Sequence, residues 1–209
     1  LFIHNVFFTG QECSYEVLSR HSGIRKETIK KYVEYLEAAF LIKVIHRIDA
    51  NARRMQRVTS FKIYLTNPSL RCALFSPLSM ADEMLGSMVE TAIFAQWLQH
   101  DYANIYYANW KDGRKLGEVD MVGIDIAHQK PIWCVEIKCS DRYVNKASEL
   151  KSLLSFLEKN KLSSSIVTSI STYTKKEQEG KRLYFMPSAL YAYQIGYNTI
   201  KQKVMNVGM

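Results

Sequence analysis

Val135-Glu136-Ile137-Lys138 is the stretch on which the fold of this chain turns. Side chains alternate across a strand with period two, so Glu136 and Lys138 share one face while Val135 and Ile137 face the opposite layer. Two charges on one side of an otherwise apolar strand need a reason. Asp120 offers one: it lies 136 − 120 = 16 positions upstream on a preceding strand, and a hairpin turning near His128 would set it beside Glu136. Glu90, next to the apolar stripe of the helix before those strands, is a third carboxylate that can approach from that side.

Working outward, Ile105 to Trp110, Glu118 to Ile126 and Pro131 to Cys139 read as three strands of a meander, with Lys111 to Gly117 as a polar turn. Before them, Met84 to Gln99 has the three- and four-residue spacing of an amphipathic helix, with Met84, Leu85, Met88, Val89, Ala92, Ile93 and Trp97 on its apolar side. After them, Lys146 to Lys159 is again helical. Ser165 to Ser169 and Arg182 to Phe185 are short strands, and Pro187 starts a last helix at the position proline favours. The order helix, three strands, helix, strand, strand, helix predicts a mixed α/β sheet with flanking helices.

The N-terminal part has a different rhythm. Ser14 to Ser22 reads as a short helix stopped by Gly23, and Glu27 to Phe40 as a second, burying Ile29, Tyr32, Val33, Leu36 and Phe40 in one stripe. Leu41 to Ile48 turns β-branched, Ala50-Asn51 marks a turn, and Val58 to Leu65 alternates as a returning strand. Two helices followed by a hairpin make a winged helix-turn-helix, whose second helix offers its open face to a major groove while the hairpin touches phosphates. Lys26, Lys30 and Lys31 on that helix, with Arg53, Arg54 and Arg57 at the hairpin tip, are the candidate DNA contacts. Asn67-Pro68 and Ser76-Pro77 interrupt the periodicity, giving expected domains of 1–66 and 67–209.

Composition bounds these readings. The chain has 209 residues, 47% of them hydrophobic, enough for a substantial core. Its formal charge is +8, with 12 Lys/Arg against 6 Asp/Glu in residues 1–80 and 16 against 14 in residues 81–209. A basic excess concentrated in the first part suits either a polyanionic partner there, because counterion release scales with local positive charge, or a solvated basic surface with no partner. No apolar run approaches the roughly 18 residues needed to span a bilayer, so no membrane partner is expected. Cys13, Cys72, Cys134 and Cys139 have no zinc spacing and suit reduced thiols in a cytoplasmic protein. Leu1 stands where a start methionine would, and the apolar run after it lacks a basic flank, which is the appearance of a piece of a longer protein rather than a signal peptide. There is no Gly-rich phosphate loop ending in Lys-Ser or Lys-Thr, so no nucleotide site is expected.

Three carboxylates around one lysine leave a net charge near −2, and two carboxylates ~5 Å apart repel by roughly 3 kcal/mol at an effective dielectric of ~20. A divalent cation cancels that repulsion. Hard oxygen ligands without cysteine or histidine favour Mg²⁺ or Mn²⁺ over zinc, with Asp120 and Glu136 as the expected metal ligands. The chemistry such a set suits is phosphodiester cleavage, with Glu90, Asp120, Glu136 and Lys138 as catalytic candidates and the lysine orienting or deprotonating the nucleophile.

Gly117-Glu118-Val119-Asp120 followed by Val135-Glu136-Ile137-Lys138 resembles the core of PD-(D/E)XK nucleases, with Glu90 in the place of the acidic residue on their first core helix. The stretch Tyr35-Leu36-Glu37-Ala38-Ala39-Phe40-Leu41-Ile42, the basic hairpin 51–57 and the segment 107–120 look like something narrower: the C-terminal part of prokaryotic AAA+-type ATPases. The resemblance implies a winged helix followed by a restriction-endonuclease-like mixed sheet with flanking helices, and a missing N-terminal ATPase domain as partner. One departure is Thr66-Asn67, where that family usually has an aspartate before its glycine. Two functions follow: a metal-dependent, DNA-binding nuclease domain, or a non-catalytic recognition or regulatory module of the ATPase.

Overall fold

The structure, a computed structural model, describes residues 9–51, 60–98, 104–113, 115–125 and 127–207. It is mixed α/β, with nine strands and seven α-helices among the described residues. The chain divides into two compact units, Leu1–Arg47 with Gln56–Leu98, and Ile48–Met55 with Gln99–Met209. The expected boundary at 66/67 and this division differ over residues 67–98, which the compact units group with the N-terminal part, and over residues 48–55, which they group with the C-terminal part.

In the first unit, strand β1 (Glu12–Ser14) leads into helices α1 (Tyr15–Ser22) and α2 (Lys26–Ala38), strands β2 (Ile42–Ile48) and β3 (Ser60–Leu65), and helices α3 (Ser69–Leu74) and α4 (Leu85–Trp97). Ser14 caps α1 by accepting a hydrogen bond from the Val17 amide, and Gly23 ends it in the left-handed region at φ 70°. A residue with no Cβ takes that conformation without strain. Phe40 does the same job after α2 at φ 55° while carrying a side chain 83% exposed. The strands form an antiparallel set in the order β1-β3-β2, with Cys13 opposite Phe61 and Val44 opposite Ile63. β1, which sequence patterning did not predict, makes β3 the central strand. Phe61, Ile63 and Leu65 on one face of β3 close a core with Leu18, Ile29, Val33, Ile42 and Val44. The alternate residues Lys62 and Tyr64 meet α4, where the Tyr64 ring stacks on Phe94 at 3.9 Å.

The second unit contains β4 (Ile105–Asp112), β5 (Lys115–Asp125), β6 (Lys130–Glu136), α5 (Arg142–Asn145), α6 (Lys151–Lys159), β7 (Ser164–Ser169), β8 (Thr174–Gln178), β9 (Lys181–Pro187) and α7 (Ser188–Val207). Its strands run in the order β4-β5-β6-β7-β9-β8; β4, β5 and β6 are antiparallel, β6-β7-β9 parallel, and β8 returns antiparallel at the edge. The polar segment expected as a turn over 111–117 is strand on both sides, because Asp112 pairs with Lys115 around Gly113 at φ 58°. α6 buries Leu153, Leu154, Phe156 and Leu157, residues three and four apart, onto a core that includes Val119, Val122, Cys134, Val167, Leu183 and Phe185. Burial of a side chain of this size stabilises by about 1.5–3 kcal/mol, so the four anchor the helix firmly.

Two glycine–tryptophan pairs pin β5. Gly117 lies opposite Trp110 and Gly123 opposite Trp133, and a Cβ on either glycine would fall 2.3 Å and 2.1 Å from the facing indole. Between them the ladder to β4 slips. It steps from Ala108↔Val119 to Tyr106↔Val122, two residues on β4 against three on β5, so Asp120 and Met121 stand opposite Tyr107 alone. A bulge of this kind bends the strand and re-aims the side chains at it.

A buried carboxylate–lysine site

Asp120, Glu136 and Lys138 come together in the second unit. Met121 pairs with Val135, so Asp120 and Glu136 occupy the next step of the same ladder. β6 ends at Glu136, not at Cys139 as expected, yet the chain stays close to its neighbours for two more residues. The Ile137 amide donates to Asp120 Oδ2 at 2.7 Å, and Lys138 reaches back with Nζ 2.7 Å from Glu136 Oε1 and 3.6 Å from Asp120 Oδ2. Tyr143, on α5, sets its ring 5.9 Å from the ammonium.

Both carboxylates are buried, and the charge is unbalanced: two acids face one ammonium. Burial, with the Asp120 charge added, pushes the Glu136 carboxyl up to about 8, against the pull of Lys138. Glu118 adds a smaller upward push and is itself bonded by Asn109 Nδ2 at 3.2 Å. Burial works against the charged form of Lys138, but Asp120 and Glu136 outweigh it and hold the ammonium above its ordinary range. Glu136 Oε2 is buried with no hydrogen-bond partner. A lone carboxylate oxygen of this kind is costly in a protein interior and marks a place for a cation or a proton.

Among the described residues no group of three or more His, Cys, Asp or Glu side chains has the arrangement of a metal centre. Two carboxylates still match what Mg²⁺ takes from a protein, one or two acidic side chains with water and substrate oxygens completing the octahedron. Asp120 and Glu136 are the residues that would hold it.

Glu90 lies on α4 in the first unit, where its Oε1 accepts from Lys62 Nζ at 3.3 Å and from the Tyr64 hydroxyl. Lys26 is paired with Glu16, Lys30 stands 4.0 Å from Glu34 one helical turn on, and Lys31 is exposed on α2. Arg53, Arg54 and Arg57 lie outside the described residues. Sequence reasoning missed Thr168, whose hydroxyl is bonded to Lys138, because a threonine in a strand has no signal of its own. Glu118 did carry one, lying two positions from Asp120 on β5.

The second unit is thus a mixed-sheet α/β module with a buried, charge-unbalanced carboxylate–lysine set at the end of a central strand. Residues 85–191 match the model of a domain of unknown function (DUF4143), over half of the chain, and the chain belongs to that family. Residues 5–82 match a second domain of unknown function (DUF8612). No curated protein and no solved structure matches the chain. No helix among the described residues is long and apolar enough to cross a membrane.

Proposed function

We propose that the second unit is a Mg²⁺- or Mn²⁺-dependent phosphodiesterase module of the PD-(D/E)XK type, and that the first unit is a winged helix that grips DNA for it. The observation that carries this reading is the buried Asp120–Glu136–Lys138 set, in which Glu136 Oε2 lacks a donor. The antiparallel meander β4-β5-β6 followed by a helical crossover to the parallel β7 supports it, as does the bulge at Asp120. Asp120 and Glu136 would hold the cation, which would supply Lewis acidity for phosphodiester cleavage, and Lys138 would orient the nucleophile. For the first unit, two helices lie between β1 and β2, with β3 pairing between those strands, and that order supports the winged-helix reading. In the full protein the two units would form the C-terminal region of a cytoplasmic AAA+-type ATPase, whose N-terminal domain is their partner.

A second reading, a non-catalytic DNA- or protein-recognition module of the same ATPase, is favoured by the engagement of Asp120 Oδ2 with the Ile137 amide and of Lys26 with Glu16. Calorimetry with Mg²⁺ and Mn²⁺ on the wild type and Asp120→Asn separates the two. Heat of binding in the wild type that disappears in the variant, together with metal-dependent cleavage of DNA, is the expected result. Absence of binding in both proteins leaves the recognition module.

A further inference from the structure

Lys138 lies beyond the end of β6, so something other than a strand ladder places it. The parallel ladder between β6 and β7 ends at Glu136↔Val167. Two residues later, Lys138 turns both of its main-chain polar groups to one side chain: its N–H donates to Thr168 Oγ1 at 2.7 Å, and the Thr168 hydroxyl donates back to the Lys138 carbonyl at 2.9 Å. A hydroxyl is donor and acceptor at once, so this single group stands in for the peptide that a further rung of the ladder would have offered. On the other side the Ile137 amide is held by Asp120. Ser188, at the head of α7, donates to the Ser169 carbonyl at 3.0 Å and lies 3.4 Å from that of Lys138.

We propose that Thr168 is a positioning residue of the carboxylate–lysine site, fixing the main chain of Lys138 so that its ammonium is aimed at Glu136 Oε1 and Asp120 Oδ2. The effect on turnover rests on the phosphodiesterase reading above; the clamp does not. Thr168 is fully buried, so removing its hydroxyl leaves the Lys138 N–H without its acceptor in a place that water does not reach. Its β-branched side chain is stiff at χ1, which holds the hydroxyl in register for both bonds.

Paired substitutions tell positioning from packing. Thr168→Val keeps the shape and loses the hydroxyl, whereas Thr168→Ser keeps the hydroxyl and loses a methyl. If packing is all that Thr168 contributes, Ser is the damaging change and Val the tolerated one. The clamp demands the reverse. Hydrogen exchange at the Lys138 amide, followed by NMR, should show protection in the wild type and Thr168→Ser and its loss in Thr168→Val. With Mn²⁺ and an end-labelled linear duplex, Thr168→Val should lower kcat on the order of 100-fold with KM unchanged, since a displacement of about 1 Å at a reacting group has that effect, and Thr168→Ser should restore it. A Thr168→Val protein that keeps Lys138 amide protection or full kcat overturns the proposal. Should Thr168→Val fail to fold, Thr168→Ser decides: retained protection of the Lys138 amide supports the clamp, and its loss overturns the proposal. A wild type that cleaves nothing removes the phosphodiesterase reading, and the amide exchange, which needs no activity, still decides on the clamp.

Discussion

Each unit holds a largely buried pair of glutamate and lysine, and the two pairs are built on opposite principles. In the first, one oxygen of Glu90 meets one ammonium, that of Lys62, and one neutral donor, the Tyr64 hydroxyl. In the second, Glu136 shares Lys138 with Asp120, and its second oxygen has no donor. A balanced pair holds a helix to a strand. An unbalanced one, with both carboxylates ionised, stores repulsion that a bound cation would relieve, so on the proposed reading the arithmetic of charge, more than the residue types, separates scaffold from site.

The largest effect tests this difference directly. Lys62→Ala should destabilise by about 3–5 kcal/mol, because it takes an ammonium away from a largely buried carboxylate, and divalent metal should recover none of the loss. Lys138→Ala should also destabilise the metal-free protein, but Mg²⁺ at 100 times its dissociation constant should return about 2.7 kcal/mol. Thermal melts of both variants with graded Mg²⁺ check this. Recovery in both, or in neither, erases the distinction between the clusters.

Next in size is a pH effect confined to the second unit. The folded chain raises the Glu136 carboxyl from an ordinary 4.5 to about 8, so between those values the folded state keeps a proton that the unfolded chain has released. Stability is therefore fullest below about pH 4.5 as far as this group is concerned, and is lost as pH rises towards 8, at no more than about 1.4 kcal/mol per pH unit. Chemical denaturation across pH 5 to 8 should show that slope in metal-free protein and lack it in Glu136→Gln. The same slope in both proteins would assign it to another group.

A smaller effect concerns the proposed DNA contact. If about three phosphates are contacted, log K against log salt for duplex DNA should slope near −2.7. Because Glu16 engages Lys26 in the structure, Glu16→Gln should steepen the slope by up to about 0.9, the share of one more phosphate. A flat response in both proteins would remove the electrostatic footprint from the first unit. The smallest effect is Phe40→Gly. Relief of a left-handed residue is worth about 1 kcal/mol, and the exposed ring contributes no core contact, so the melting temperature should rise slightly. A fall would mean that the ring is held by contacts that its exposure does not suggest.

Much of this organisation was readable before any coordinates. Regular spacing placed α1, α2 and α4 to within two residues of their observed bounds and foresaw the end of α6, though not its start at Lys151; Glu136 and Lys138 do meet, but Lys138 lies past the strand whose alternation was to place it. What escaped has physical reasons. β8 reads Thr174-Lys175-Lys176-Glu177-Gln178, an edge strand with no apolar face to alternate. β1 is three residues long and exists only because β3 has an open side. Residues 111–117 look like a turn because both strand ends there are exposed. The bulge at Asp120 is invisible to alternation, since it is a property of two strands compared, and so is the side-chain bond that carries Lys138 past the end of β6. For Glu90 the helix was foreseen; its bonds to Lys62 and Tyr64 depend on which strand the helix covers.

The tryptophans laid over Gly117 and Gly123 have a practical corollary. Each indole is seated by the absence of a neighbour's Cβ, and the two glycines lie 120 − 117 = 3 and 123 − 120 = 3 positions from Asp120. Any slip of β5, or any ligand that tightens the strands around Asp120, must move one ring against its glycine floor. The chain has three tryptophans, and two of them, Trp110 and Trp133, are the rings that flank the site, so the protein carries its own optical gauge of strand register without a dye or a tag.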